Sequence, residues 1–200
     1  MSARKMFAVV VAGVTLAAMP VFSQEDESYK SDATVQALGS FVKSTHANGV
    51  EQGETNSGGV LASYRYFFDR HNGVEVNYGY ALNSQTFGLT AGPLEVRNYA
   101  HEATADYVLR FPGKRWTPFA LAGAGGLVFD PRDFTGAGTQ GRAAFVYGGG
   151  ADFNFSSHLF MRAEYRGFVY NSPTFGLTEL SGTGRVTHRA EPSIGFGYRF

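Results

Sequence analysis

The sequence predicts an all-β fold: an eight-stranded antiparallel up-and-down transmembrane β-barrel behind a cleaved signal peptide. Three observations carry that prediction. Apolar and small or polar residues alternate with period two in eight separate segments, the pattern of strands with two different faces. The connections between the segments are short and long in turn. The face opposite the apolar one carries arginines and acids in equal number.

Length and composition set the frame. Two hundred residues suit one domain, and 26 glycines with 15% aromatics suit many short strands and tight turns. There is no cysteine, so backbone pairing and packing hold the fold without disulfides. Arg4 and Lys5 precede an apolar run, Met6 to Met19, that is short for a membrane-crossing helix. Val21-Phe22-Ser23 follows, so residues 1–23 read as a secretory signal; an uncleaved anchor helix is the alternative. These residues carry two of the 17 basic side chains and none of the 17 acidic ones, which leaves a nearly neutral chain with no nucleic-acid footprint. Residues 24–32 (QEDESYKSD) are acidic and polar and read as a flexible periplasmic lead-in.

The barrel is assigned to residues 33–200. Its eight segments are Ala33–Lys43, Gly58–Phe68, Val74–Leu82, Asn98–Phe111, Thr117–Phe129, Arg142–Phe155, Leu159–Tyr170 and Val186–Phe200. Each is near the roughly 9–11 residues of a tilted membrane-spanning strand. Asp69–Gly73, Pro112–Trp116 and Ser156–His158 are the short connections. Ser44–Ser57, Asn83–Arg97, Asp130–Gly141 and Asn171–Arg185 are the long ones. Short turns at one end and long loops at the other is the transmembrane pattern, with the short turns and both termini in the periplasm.

Alternation alone does not say which face points out, because a soluble lipocalin-like barrel alternates too. Charge decides. Arg65, Arg110, Arg162, Arg166, Arg189 and Arg199 share the second face with Glu75, Glu102, Asp106, Asp152, Glu164 and Glu191. An arginine at the lipid midplane costs roughly 2–4 kcal/mol. That face is therefore predicted to point inward, where the two signs pair across the lumen. The fifth strand is expected to present only small inward residues, Ala120, Ala122, Ala124 and Gly126.

The last strand alternates Ile194, Phe196, Tyr198 and Phe200 with glycine and arginine, and ends on an aromatic residue. This resembles the C-terminal signature of bacterial outer-membrane β-barrels. The pattern of the remaining chain resembles the small eight-stranded group typified by the transmembrane domain of outer-membrane protein A. The resemblance implies that Ile194, Phe196, Tyr198 and Phe200 form a signal read by the barrel-assembly machinery. It also implies contact with periplasmic chaperones on the way, a monomer surrounded by outer-membrane lipid and lipopolysaccharide, and an extracellular partner of the loops whose identity it does not give.

Asn83–Thr90 and Asn171–Thr178 are identical at all but one position, four strands apart. This suggests a duplicated four-stranded half. Thr86, Phe87, Gly88 and Leu89, with Thr174, Phe175, Gly176 and Leu177, are either continued strand beyond the membrane or paired loop tips over the mouth.

No catalytic site is expected. His71 and His158 fall in short turns, so Ser156-Ser157-His158 lies at the wrong end for a lipid-acting site, and His101 and His188, on the lipid-facing parity, lie on strands that are not neighbours and lack a serine two residues away. Asp130 and Asp133 are too few for a metal. Gly148-Gly149-Gly150 lacks the lysine of a phosphate loop. No cofactor is expected. Eight strands leave an interior just wide enough for side chains, which favours a structural or surface-interaction role through the loops. A narrow or gated channel is the alternative, and a lipid A-modifying enzyme is a more distant one.

Overall fold

The structure, a computed structural model, describes residues 29–42, 45–47, 50–54, 57–89, 92–131, 139–171 and 186–200. They form, in chain order, β1 (Ser31–Val42), β2 (Thr45–Ala47), β3 (Val50–Glu54), β4 (Ser57–Phe67), β5 (Asn72–Leu89), β6 (Gly92–Arg110), β7 (Trp116–Pro131), β8 (Gln140–Asn154), β9 (Leu159–Asn171) and β10 (Val186–Arg199). Residues 1–28, which include the segment read as a signal and most of the lead-in, and residues 172–185 lie outside the described residues.

Eight strands close into a ring in the order β1, β4, β5, β6, β7, β8, β9, β10. Each pairs antiparallel with the next, and β10 pairs back onto β1. Closure leaves no ladder open within the ring. The closing seam joins Ala33 to Tyr198 and Phe41 to Ala190, and skips Gly39 and Ser40. Pro192 lies opposite that gap and has no N–H to donate.

Two of the long connections are themselves strand. β5 and β6 stay paired past the ring as far as Leu89 and Gly92, whereas among the described residues β6 meets β7 from Asn98 and Pro131 inward. The segment Asn83–Arg97 is therefore a continued hairpin and not an irregular loop. Within Ser44–Ser57, β2 pairs with β3, and β3 pairs with the outer part of β5.

The short turns are fixed locally. In the first, an Asp69 carboxylate oxygen accepts the N–H groups of His71 (2.7 Å) and Asn72 (2.8 Å), and the Asn72 side chain donates to its other oxygen at 2.9 Å. The Asn72 side chain and these two backbone donors hold the Asp69 carboxyl down at about 2, so the turn keeps its charged acceptor. Ser156 does the same through its hydroxyl for the N–H of Leu159, at 2.9 Å.

The outward face is apolar along each ring strand. Val35 is 63% exposed and Phe196 67%, with Val60, Val76, Leu82, Phe145 and Ile194 on the same surface. Near the short turns the outward rings touch one another around much of the wall: Tyr66–Phe68, Trp116–Phe153, Phe153–Phe155, Phe155–Phe196, Tyr198–Phe200 and Phe200–Tyr64. Such a belt belongs at a lipid–water boundary, where an aromatic ring has one apolar and one wet side.

One strand turns the other way from expectation. Ala120, Ala122 and Ala124 face out, while Phe119, Leu121, Leu127 and Phe129 are buried inside. Gly126 pairs with the outward Ala103 and so faces out as well. Register sets this: Asp106, which points inward, lies opposite Gly123. β7 carries no charge between Trp116 and Phe129, so nothing in its own sequence marks its inner face.

Candidate functional site

The interior is built from side chains at every second position. β9 places Arg162, Glu164 and Arg166 on one face, two residues apart. Strand register then brings acids alongside: Asp152 of β8 lies opposite Arg162, and Glu191 of β10 lies opposite Arg166. On the facing wall Arg65 lies opposite both Glu75 and Asp32.

These groups form one connected ion network. Arg162 donates to both oxygens of Asp152 (2.7 and 3.0 Å) and to Asp32 (3.1 Å), and lies 3.8 Å from Glu75. Arg65 pairs with Glu75 and reaches Glu164 at 3.3 Å. Arg166 lies 3.6 Å from Glu164, pairs with Glu102, and donates to Glu191 at 3.0 Å. Arg189 pairs with Glu191, lies 3.7 Å from Glu102, and donates through Nε to the Ser40 hydroxyl at 2.7 Å. Arg199 touches Asp152 at 3.4 Å near the short-turn mouth.

Two of the twelve charged residues assigned to the lumen stand apart. Asp106 accepts from Asn77 (2.9 Å) and Thr104 (2.8 Å) and not from a guanidinium. Arg110 donates to the Arg70 carbonyl at 2.9 Å and lies 3.4 Å above the Phe67 ring. The network has one further member: Asp32, expected in the lead-in, is buried in β1, which starts at Ser31. Its signal was parity: Asp32, Thr34 and Gln36 alternate with Ala33, Val35 and Ala37.

The lumen also has an apolar side that charge-based reading passed over. Phe119, Leu121, Leu127 and Phe129 of β7 cluster with Val108, Val146, Phe168 and Tyr170. The two sides meet through guanidinium–ring contacts: Arg65 lies 3.9 Å from the Phe119 ring, and Arg166 5.2 Å from the Phe168 ring. Inward glycines make room for the acids. A Cβ on Gly79 would strike the Glu102 carboxylate, and one on Gly123 the Asp106 carboxylate. Arg65, Arg162, Arg166 and Arg189 are each at most 1% exposed, so side chains fill the interior at the level of the network.

Ile194, Phe196, Tyr198 and Phe200, the residues expected to signal assembly, all point outward from β10 and its end. Of the loop repeat, Thr86, Phe87, Gly88 and Leu89 are backbone-paired members of β5, and Thr174, Phe175, Gly176 and Leu177 lie outside the described residues. On the outer wall, two histidines meet tyrosines. Tyr78 Oη lies 2.8 Å from His101 Nδ1, and Tyr147 Oη 2.7 Å from His188 Nε2. The second pair spans β9 over Gly167, where any Cβ would meet the Tyr147 ring. No group of metal-binding side chains occurs among the described residues.

The sequence profile of the outer membrane protein beta-barrel domain matches residues 9–200. None of the curated proteins matches the chain. Among solved structures, the attachment invasion locus protein Ail of Yersinia pestis, in complex with the heparin analogue sucrose octasulfate, is 20% identical with a TM-score of 0.54. That match covers 86% of this chain and 99% of Ail. OprG of Pseudomonas aeruginosa is 15% identical with a TM-score of 0.62, covering 86% of this chain and 97% of OprG. Neisserial surface protein A is 13% identical with a TM-score of 0.63, covering 85% and 97%. At these identities the likeness is one of fold.

Proposed function

This chain belongs to the outer membrane protein beta-barrel domain family, and from that premise we propose that it acts at the cell surface through its long hairpins, with a barrel that serves as a closed anchor and not as a conduit. That it is an outer-membrane barrel follows from the family. The surface role rests chiefly on one observation: the four arginines at the centre of the lumen are buried and tied to acids from both walls. Opening a water path there requires separating charges already out of water. The paired extension of β5 and β6 supports the same reading, because it carries ordered backbone well beyond the ring.

Reconstitution in planar bilayers tests this. The purified protein is expected to give no stable conductance steps. Reproducible steps would instead support the narrow-channel reading, for which Asp106, lacking a guanidinium partner, is the one favourable feature. The reading assigns no enzymatic role: on the outer wall His101 and His188 each hydrogen-bond a tyrosine.

The assembly role of Ile194, Phe196, Tyr198 and Phe200 is part of the proposal, with the barrel-assembly machinery and periplasmic chaperones as the partners. Phe200→Ala is expected to lower the amount of folded protein in outer-membrane fractions several-fold, while the protein refolds normally in detergent. Normal membrane levels of that variant would remove the assembly role.

A further inference from the structure

At the short-turn end the lumen opens into a cavity of about 200 Å³ lined by Tyr29, Arg70, Arg110, Thr117, Asn154 and Arg199. Three guanidiniums therefore share one small space. Arg110 is held in place by its bond to the Arg70 carbonyl and by the Phe67 ring beneath it, which leaves its terminal nitrogens free to donate elsewhere. Arg199 is braced by Asp152 at 3.4 Å and the Phe160 ring at 4.3 Å. Among the described residues neither Arg70 nor Arg110 has a carboxylate partner. The nearby acid, Asp69, is already occupied by His71 and Asn72. Lys114 and Arg115 sit in the adjoining turn, whose carbonyls at Gly113 and Lys114 are bound by the Asn154 side chain.

We propose that this mouth is a carboxylate-binding site, with Arg70 and Arg110 as the primary donors and Arg199 as the floor. Planar guanidiniums match a carboxylate through two parallel hydrogen bonds, and here Arg110 and Arg199 are already held in place, with Arg70 on the rim of the same cavity. One source of the carboxylate is the chain itself. Glu25, Asp26 and Glu27 lie two to four residues ahead of Tyr29, a reach of at most ~14 Å at ~3.5 Å per residue. The other source is a free acidic molecule arriving from the short-turn side. The chemistry recognised is the same in both cases.

Isothermal titration with citrate, at low ionic strength and on full-length protein in detergent micelles, tests the site and separates the sources. The triple variant E25Q/D26Q/E27Q is expected to bind citrate. Adding R70Q/R110Q to it should weaken binding about tenfold or more. Arg70→Gln alone, a change at an exposed turn residue, should produce part of that loss and guards against misfolding as the cause. If the chain's own acids occupy the site, the parent protein binds citrate about tenfold more weakly than the triple variant, because the tethered competitor is always present. Equal affinities of parent and triple variant assign the site to external acids. Absence of citrate binding in the triple variant, or binding unaffected by R70Q/R110Q, overturns the proposal.

Discussion

Replacing Arg162 with methionine is expected to lower the unfolding free energy by about 3–5 kcal/mol, read by urea titration of the protein in lipid vesicles. Arg162 is fully buried and holds Asp152 and Asp32 directly, with Glu75 close by. Methionine fills similar volume but leaves those carboxylates facing one another in a medium that does not screen them. The loss comes from stranding charge and not from removing a contact. The double variant Arg162→Met with Asp152→Asn should therefore recover part of it, since one stranded charge is then gone. A loss below about 1 kcal/mol for the single variant would mean that water enters the network freely and that the lumen is not sealed.

The second large effect tests the orientation of β7. Ala122→Arg is expected to destabilise the barrel by roughly 2–4 kcal/mol, the cost of placing arginine near the middle of the lipid-facing wall. The same change at Val128, outward but closer to the long-hairpin end, should cost roughly 0–1 kcal/mol. The depth dependence separates a lipid effect from general disruption. If Ala122→Arg is neutral, the side chain has reached the lumen, as parity read from the sequence alone suggested.

The two strands at the centre of these predictions show what sequence reveals and what it hides. β9 reads itself: Arg162, Glu164 and Arg166 at every second position fix its inner face, because charge has only one tolerable direction in a membrane wall. The same logic placed Arg65, Glu75, Glu102 and Glu191. β7 has no such marker, and alanine and leucine are both at home against lipid, so its face is decided by pairing with its neighbours β6 and β8. Asp32 was hidden by position, since a polar lead-in and the start of a strand look alike at one residue. The connectivity of the network was also out of reach. Alternation tells which residues face inward, whereas which acid meets which arginine depends on the stagger between strands that are far apart in sequence. Arg162 and Asp32 are 130 residues apart.

The hairpin that outgrows the ring has one further consequence. Inside the ring, closure satisfies both sides of every strand. Above it, β5 is covered on its far side by β3, but Gly92–Arg97 of β6 has a single partner among the described residues. Among the described residues that stretch is an open strand edge beyond the ring, a template onto which another extended chain can add. It contains Pro93, Glu95 and Arg97, residue types that interrupt a ladder or repel an incoming strand. An edge of this composition resists pairing with the same stretch of a neighbouring copy.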